Sequence, residues 1–336
     1  MFVVVFATVF AASSELRGQS SLVDICGPPI PNFSGFFPTR QGCIALSQAI
    51  TSAQSVIGLV YSGGSANLGY ATGGLGLGIT PRVSFGVRMN AVRIPLPDLI
   101  NGQLLNSPVS VPGSTVLLPS AIIDGSVSLL EGVNLSPGVG GIGGLSLIGT
   151  IGGVPPLSDS DALSQKGLVW GTGARVRFLR ESFNTPAISL TVIRRTLGEI
   201  SYSGTCQLGI PECWEGARFD FTNWSGRITA NKSLANFSGL IGLGYDRNTS
   251  AVNVTERLLS GPDMQTLTVT FTDLPLKSSR WTAFGGLSFN ILVVSVTGEA
   301  GWSPGRSAIP GFENLNSSFD PKRGTFFGSL GARVAL

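Results

Sequence analysis

The residues of this 336-residue sequence that could perform chemistry are few, and their types exclude several mechanisms. The chain contains no histidine, so no imidazole can serve as a general base or as a metal ligand. A pair of carboxylates is the enzymatic alternative, with Asp124, Asp220, Asp246 and Glu299 as the candidates. Such carboxylates are more often solvated charges paired with arginine. We therefore expect a protein that is not an enzyme and that needs no cofactor.

The four cysteines form two close pairs, Cys26 with Cys43 and Cys206 with Cys213. Their spacing suits two local disulfides in an oxidising compartment. A zinc site is the alternative, but the chain has neither a CxxC motif nor a histidine, so we expect no metal. We predict both disulfides, the second of them closing a short loop.

Composition narrows the class of protein. Hydrophobic residues make up 43% of the chain and charged residues only 12%, and there are 46 glycines. Beyond the amino terminus no stretch is long and apolar enough for a membrane-spanning helix. The net charge of +3 is too small to indicate a nucleic-acid partner. The chain is therefore apolar without having long apolar runs.

The stretch from residue 324 to residue 336 shows how this apolar character is distributed. Alternate residues form an apolar face: Phe326, Gly328, Leu330, Ala332, Val334 and Leu336. The residues between them are mostly small or polar: Thr325, Phe327, Ser329, Gly331, Arg333 and Ala335. A period of two predicts a β-strand with one apolar side. A sandwich strand could share this pattern, but its repetition along the chain favours a closed barrel in lipid.

We predict an all-β fold, a transmembrane antiparallel up-and-down β-barrel of twelve strands formed by residues 51–336. The predicted strands are 52–62, 67–79, 82–94, 119–132, 139–152, 166–180, 185–202, 215–231, 235–256, 265–290, 292–303 and 324–336. The strand at 52–62 is expected to pair with the last strand and close the barrel. Fourteen strands result if 265–275 and 280–289 are separate spans and another strand is split elsewhere. Short turns fall at one end and long loops at the other.

The amino-terminal part of the chain is predicted to lie outside the barrel wall. Residues 1–20 resemble a secretory signal peptide, with an uncleaved anchor as the alternative. Residues 21–50 are rich in Pro and Gly and then briefly compatible with a helix. They are expected to form a periplasmic segment or a small plug, and the sequence leaves both possibilities open.

From the strand pattern, the chain resembles a bacterial outer-membrane β-barrel protein, porin-like but without the marks of a subfamily. Ser329, Gly331, Val334 and Leu336 match the terminal signal that the barrel assembly machinery recognises, although this family usually ends in an aromatic residue. The resemblance implies the outer membrane as location, and the membrane lipid and the assembly machinery as partners.

The alternation also predicts which charged residues line the lumen: Arg88, Asp124, Arg175, Arg177, Arg195, Asp220, Asp246, Glu299 and Arg333. Unpaired arginines in a lumen favour anions. We therefore predict a passive channel for small polar or anionic solutes. The alternative is a barrel with a plugged lumen that binds or displays at the cell surface through its long loops. The solute or ligand does not follow from the sequence.

Overall fold

One helix and thirteen strands make up the described part of the chain. The computed structural model describes residues 40–65, 83–97, 113–130, 132–136, 140–153, 163–165, 168–203, 212–260, 265–305, 320 and 322–335. The elements are α1 (Arg40–Ser62), β1 (Val83–Pro97), β2 (Gly113–Leu130), β3 (Val133–Ser136), β4 (Gly140–Ile142), β5 (Leu145–Gly153), β6 (Leu163–Gln165), β7 (Val169–Leu179), β8 (Ala187–Ser203), β9 (Glu212–Leu234), β10 (Phe237–Ser260), β11 (Gln265–Ile291), β12 (Val294–Ser303) and β13 (Thr325–Ala335).

Ten of these strands close into an antiparallel ring. The order around the ring is β1, β2, β5, β7, β8, β9, β10, β11, β12 and β13, and β13 pairs with β1. The register between β1 and β13 runs from Ser84 opposite Ala335 to Val92 opposite Phe327. Outside the ring, β3 and β4 form a small hairpin and β6 extends the pairing of β8. Because the ring is closed, it leaves no open edge along its transmembrane part.

The predicted strand count is wrong, and the error lies at the amino-terminal end. Residues 52–62 belong to the helix α1 instead of forming the closing strand, and β1 takes that place beside β13. Residues 67–79 lie outside the described residues. The fourteen-strand alternative is also wrong, because β11 is one continuous strand. The other ten predicted strands correspond to the ten strands of the ring.

The two ends of the barrel differ, as predicted. At one end, two-residue turns join β9 to β10 and β11 to β12, and both contain a residue with positive φ, Ala235 at 51° and Leu292 at 52°. At the other end β9, β10 and β11, with 23, 24 and 27 residues, extend well past β12, which has 10. We call these the short-turn end and the long-loop end. Among the described residues, no helix is long and apolar enough to cross a membrane.

The wall of the barrel is apolar outside and polar inside. In β1 the side chains of Phe85, Val87 and Met89 are 55–62% exposed, whereas Arg88 between them is 1% exposed. The same alternation recurs around the ring. Serine and threonine hydroxyls bond across the inner face, as between Ser189 and Thr229 at 2.9 Å. This polarity is the reverse of a soluble barrel and suits a surface in contact with lipid.

Aromatic residues mark the edge of the apolar outer surface toward the long-loop end. This girdle consists of Trp170, Tyr245, Trp224, Trp281 and Trp302, each eight to ten residues along its strand from the short-turn end. Tyr245 and Trp281 are cross-strand partners with ring centroids 4.8 Å apart. Strands of that length, tilted as in membrane barrels, span roughly 25 Å, the height of the lipid-facing band.

Candidate functional site: the plugged lumen

The helix α1 occupies the lumen of the barrel. Its apolar side chains are each no more than 4% exposed: Ile50, Val56, Ile57, Leu59, Val60 and Tyr61. They pack against apolar side chains that several strands of the wall turn inward: Val92, Leu118, Ile122, Val169, Leu197, Phe221, Leu240, Val252, Leu276, Phe284 and Phe327. A helix that is apolar on more than one side is stable only when it is enclosed.

The middle of α1 lies in direct contact with the wall. Gln54 Nε2 donates to Ser250 Oγ at 2.9 Å and to the carbonyl oxygen of Leu276 at 3.1 Å. One turn further on, Gly58 faces Asn248, and a Cβ built at Gly58 would lie 2.5 Å from Asn248 Oδ1. A larger side chain at residue 58 would therefore push the helix off β10.

The carboxyl end of α1 is capped by side chains of the wall. The carbonyl oxygen of Val60 accepts from Asn90 Nδ2 and from Ser120 Oγ, both at 2.9 Å. The carbonyl oxygen of Ser62 accepts from Arg227 Nη2 at 2.5 Å. The last carbonyls of a helix have no partner inside the helix and carry its partial negative charge. A guanidinium, an amide and a hydroxyl donor from three strands satisfy them here.

The turn that follows α1 is held by the same wall. Gly64 has φ of 74°, and its carbonyl oxygen accepts from Arg227 Nε at 3.2 Å. The backbone nitrogen of Ser65 donates to Glu299 Oε2 at 2.7 Å, and the Ser65 hydroxyl donates to Glu299 Oε1. Arg88 Nη1 donates to the Ser65 carbonyl at 2.8 Å. We call Arg88, Arg227 and Glu299 the latch, because together they fix the end of the helix.

Two buried ion pairs support the latch. Arg88 Nε lies 3.0 Å from Asp124 Oδ2, and Arg227 Nη2 lies 2.8 Å from Asp246 Oδ2. The side chains of all four residues are at most 5% exposed. Removing one partner of a buried pair leaves an uncompensated charge, which is far more costly than never forming the pair. Each arginine thus serves both a carboxylate of the wall and a carbonyl of the plug.

Most of the charged residues predicted to face the lumen lie there. Six are buried inside the barrel: Arg88, Asp124, Arg175, Arg195, Asp246 and Glu299. Arg177 and Arg333 occupy inward positions of β7 and β13 and are half-buried. The inward position predicted for Asp220 is a correction: Asp220 is exposed and Phe221 is the residue that points inward. The apolar helix requires an apolar partner at that height, and Phe221 provides it.

Sequence reasoning missed two arginines of the lumen, Arg227 and Arg280, which are 1% and 5% exposed. The error at Asp220 inverted the phase of β9 and so turned Arg227 outward. Trp224 and Ile228, both about half exposed, indicate that the even-numbered residues of β9 point outward, because residues an even number of positions apart share one face of a strand. Their outward position assigns Arg227 to the inside.

The remaining predicted residues are only partly described. Cys43 lies in α1 and Cys213 near the start of β9, whereas Cys26 and Cys206 lie outside the described residues, so both disulfides stay predictions. Of the terminal signal, Ser329, Gly331 and Val334 lie in β13 and Leu336 is outside the described residues. Its recognition by the assembly machinery also stays a prediction, and so does the signal peptide at 1–20.

No protein-family model matches the sequence. No curated protein matches it either. Among solved structures, the chain is similar to the translocator domain of autotransporter NalP from Neisseria meningitidis, with 9% identity, a TM-score of 0.39 and coverage of 76% of this chain and 88% of that one. It is also similar to Ail, the attachment invasion locus protein of Yersinia pestis (9% identity, TM-score 0.27, coverage 77% and 100%), and to an outer membrane channel from Pseudomonas putida F1 (10%, 0.31, coverage 78% and 97%).

Scores this low transfer no activity to the chain, and the class of protein follows from its own wall. A closed antiparallel ring that is apolar outside, polar inside and matched in height to the lipid hydrocarbon is an outer-membrane β-barrel. The protein is thus a membrane-spanning β-barrel of the outer-membrane type. The bacterial outer membrane as its location is what the sequence pattern predicts. No narrower subfamily is defined.

Proposed function

We propose that this protein is a helix-plugged barrel that presents chain at the cell surface, and that it is not a passive channel in its resting state. The observation that supports this proposal is the position of α1, which fills the lumen and is capped by the latch. A ten-stranded barrel is only slightly wider than one whose interior side chains already fill it. A helix with its side chains therefore takes up the space through which a solute would pass.

The direction of α1 supports presentation at the long-loop end. Going backward along the helix, Ser62 bonds Arg227 beside Asp246, Gly58 faces Asn248, and Gln54 bonds Ser250. These three positions of β10 lead steadily away from the short-turn end. The amino end of α1 consequently points toward the long-loop end, which in outer-membrane barrels faces the cell exterior. Chain that precedes Arg40 would leave the barrel on that side.

The channel for anions remains a second candidate, for a state in which the plug has moved. Arginines outnumber carboxylates on the described inner surface, with Arg88, Arg175, Arg177, Arg195, Arg227, Arg280 and Arg333 against Asp124, Asp246 and Glu299. An unplugged lumen with this excess would favour anions. Neither function requires catalysis, and a chain without histidine lacks the general base that outer-membrane barrel hydrolases use.

The presentation proposal is tested with an epitope inserted directly before Arg40 in the full chain, probed by antibody on intact cells. The matched control carries the same epitope in the two-residue turn between Leu234 and Phe237. We expect labelling of the first protein on intact cells, and labelling of the control only after the outer membrane is permeabilised. An epitope before Arg40 that becomes accessible only on permeabilisation would overturn the proposal.

The resting state is tested separately by recording from planar bilayers. The intact protein should show no steady conductance, whereas a variant with Arg88→Ala and Glu299→Ala should open intermittently, because two of the three latch residues are gone. If those openings select anions and lose selectivity in Arg175→Gln with Arg177→Gln, the second candidate gains support. A large steady conductance of the intact protein would contradict the plugged state.

A further inference from the structure

Two arginines on the outer wall of the barrel lie at the level of the aromatic girdle. Arg194 of β8 and Arg247 of β10 are both exposed, and both are direct cross-strand partners of Trp224 in β9. Because each is paired directly with Trp224, which is a residue of the girdle, both arginines lie at the height of the girdle. Their guanidinium groups therefore lie where hydrocarbon gives way to lipid headgroups.

Within the part of the chain that the structure describes, neither arginine is paired with an acid. Asp246 is adjacent to Arg247 in sequence, but it points into the lumen and pairs with Arg227. The nearest acid on β9 that faces outward, Asp220, lies four residues beyond Trp224 along the strand. The outer wall thus carries two positive charges with no acid between them.

The aromatic ring between them adds a surface for an acyl chain. Trp224 is 48% exposed, and the Arg194 guanidinium carbon lies 5.9 Å from the centre of the indole ring. That cation–π contact holds Arg194 beside the ring without neutralising its charge. Below Trp224 on the same face of β9, Ile228 is 49% exposed, so an apolar strip continues toward the centre of the membrane.

We propose that Arg194, Trp224 and Arg247 form a site for the phosphate headgroup of an anionic lipid in the leaflet at the long-loop end. The two guanidiniums approach the phosphate from neighbouring strands, and the acyl chain lies over Trp224 and Ile228. Arginine is suited to this role because its planar donors match phosphate oxygens in pairs. The bound lipid would fix the height of the barrel in the membrane and its rotation about its axis. This role is separate from the function proposed above.

The test is native mass spectrometry of the full protein in a zwitterionic detergent, titrated with phosphatidylglycerol or with phosphatidylcholine of the same acyl chains. We expect the first phosphatidylglycerol to bind more tightly than phosphatidylcholine. The variant Arg194→Gln with Arg247→Gln should lose about fivefold in phosphatidylglycerol affinity for each arginine removed, since a basic residue near a membrane surface contributes about that factor. The matched control is Arg93→Gln, which removes an exposed arginine from the opposite wall and should leave the affinity unchanged.

Three results would overturn the proposal. The double variant and Arg93→Gln could bind phosphatidylglycerol equally well, which would show that net charge alone acts. Inorganic phosphate could displace the lipid at millimolar concentration, which would indicate a site for a free anion. The two lipids could also bind with equal affinity, which would leave no role for the uncompensated arginines.

Discussion

Gly64 is the residue at which the plug depends most directly on the absence of a side chain. Its φ of 74° lies in the left-handed region, and a Cβ at this position would collide with Glu299 Oε2. We expect Gly64→Ala to lower the free energy of unfolding by about 1–3 kcal/mol, from backbone strain and from displacement of the latch carboxylate. Unfolding in denaturant from lipid vesicles measures this change. Gly298→Ala is the matched control, because a Cβ there meets nothing within 4 Å, and an equal loss in both variants would contradict the account.

The pair of Arg227 and Asp246 separates stability of the wall from retention of the plug. Arg227→Leu should lower the free energy of unfolding by about 3–5 kcal/mol, because it leaves Asp246 buried without a partner. Changing both residues to leucine should restore much of that loss. In bilayer recordings, Arg227→Leu and the double leucine variant should both show channel openings that the intact protein lacks. In both, the carbonyl oxygens of Ser62 and Gly64 lose the Arg227 guanidinium as their donor. If openings appear in Arg227→Leu but not in the double leucine variant, Arg227 serves only to neutralise Asp246 and does not retain the plug.

At the scale of the element, β1 provides the clearest test of which face meets lipid. Val87 is 55% exposed and lies opposite Ile123 and Ala332 in the middle of the apolar surface. Val87→Arg should cost about 2–4 kcal/mol of folding free energy in vesicles, the penalty for a charge at the centre of the lipid-facing band. Thr249→Arg introduces the same side chain on an outward position of β10 beyond the girdle, and it should cost less than about 1 kcal/mol. If Val87→Arg and Thr249→Arg cost the same folding free energy, the lipid-facing band does not lie between the short-turn end and the girdle.

The elements also show what could be predicted from the sequence and what could not. Strands such as β1 and β13 were predictable because one face meets lipid and the other meets polar groups, which imposes a strict period of two. The helix α1 was mistaken for a strand because it is enclosed on several sides, so its apolar residues fit both periodicities. An enclosed helix also places Phe221, Phe284 and Phe327 inside the barrel, against the rule that the lumen is polar. The inverted phase at Asp220 follows from the same cause.

The latch was harder still to predict. Arg88 and Glu299 were assigned to the lumen by alternation, but their shared partner Ser65 lies 23 and 234 residues away in sequence, next to a segment that was expected to be in the wall. Only the position of α1 shows that these charges bind a backbone turn instead of a solute. Inward orientation is a local property of a strand, whereas the identity of the group that an inward charge meets depends on the whole fold.

At the scale of the molecule, the central claim is that α1 lies inside the ring with Gly58 against Asn248. The most direct test is a cross-link between Gly58→Cys and Asn248→Cys, in the full chain with its four native cysteines changed to serine. Mild oxidation of the protein in vesicles should join the two residues in most molecules, and peptide mass spectrometry should identify the link. The control pairs Gly58→Cys with Arg247→Cys, whose side chain points outward from the adjacent position. We expect efficient linkage to residue 248 and almost none to residue 247; absence of the first link, or equal yields of both, would show that α1 does not lie in this position.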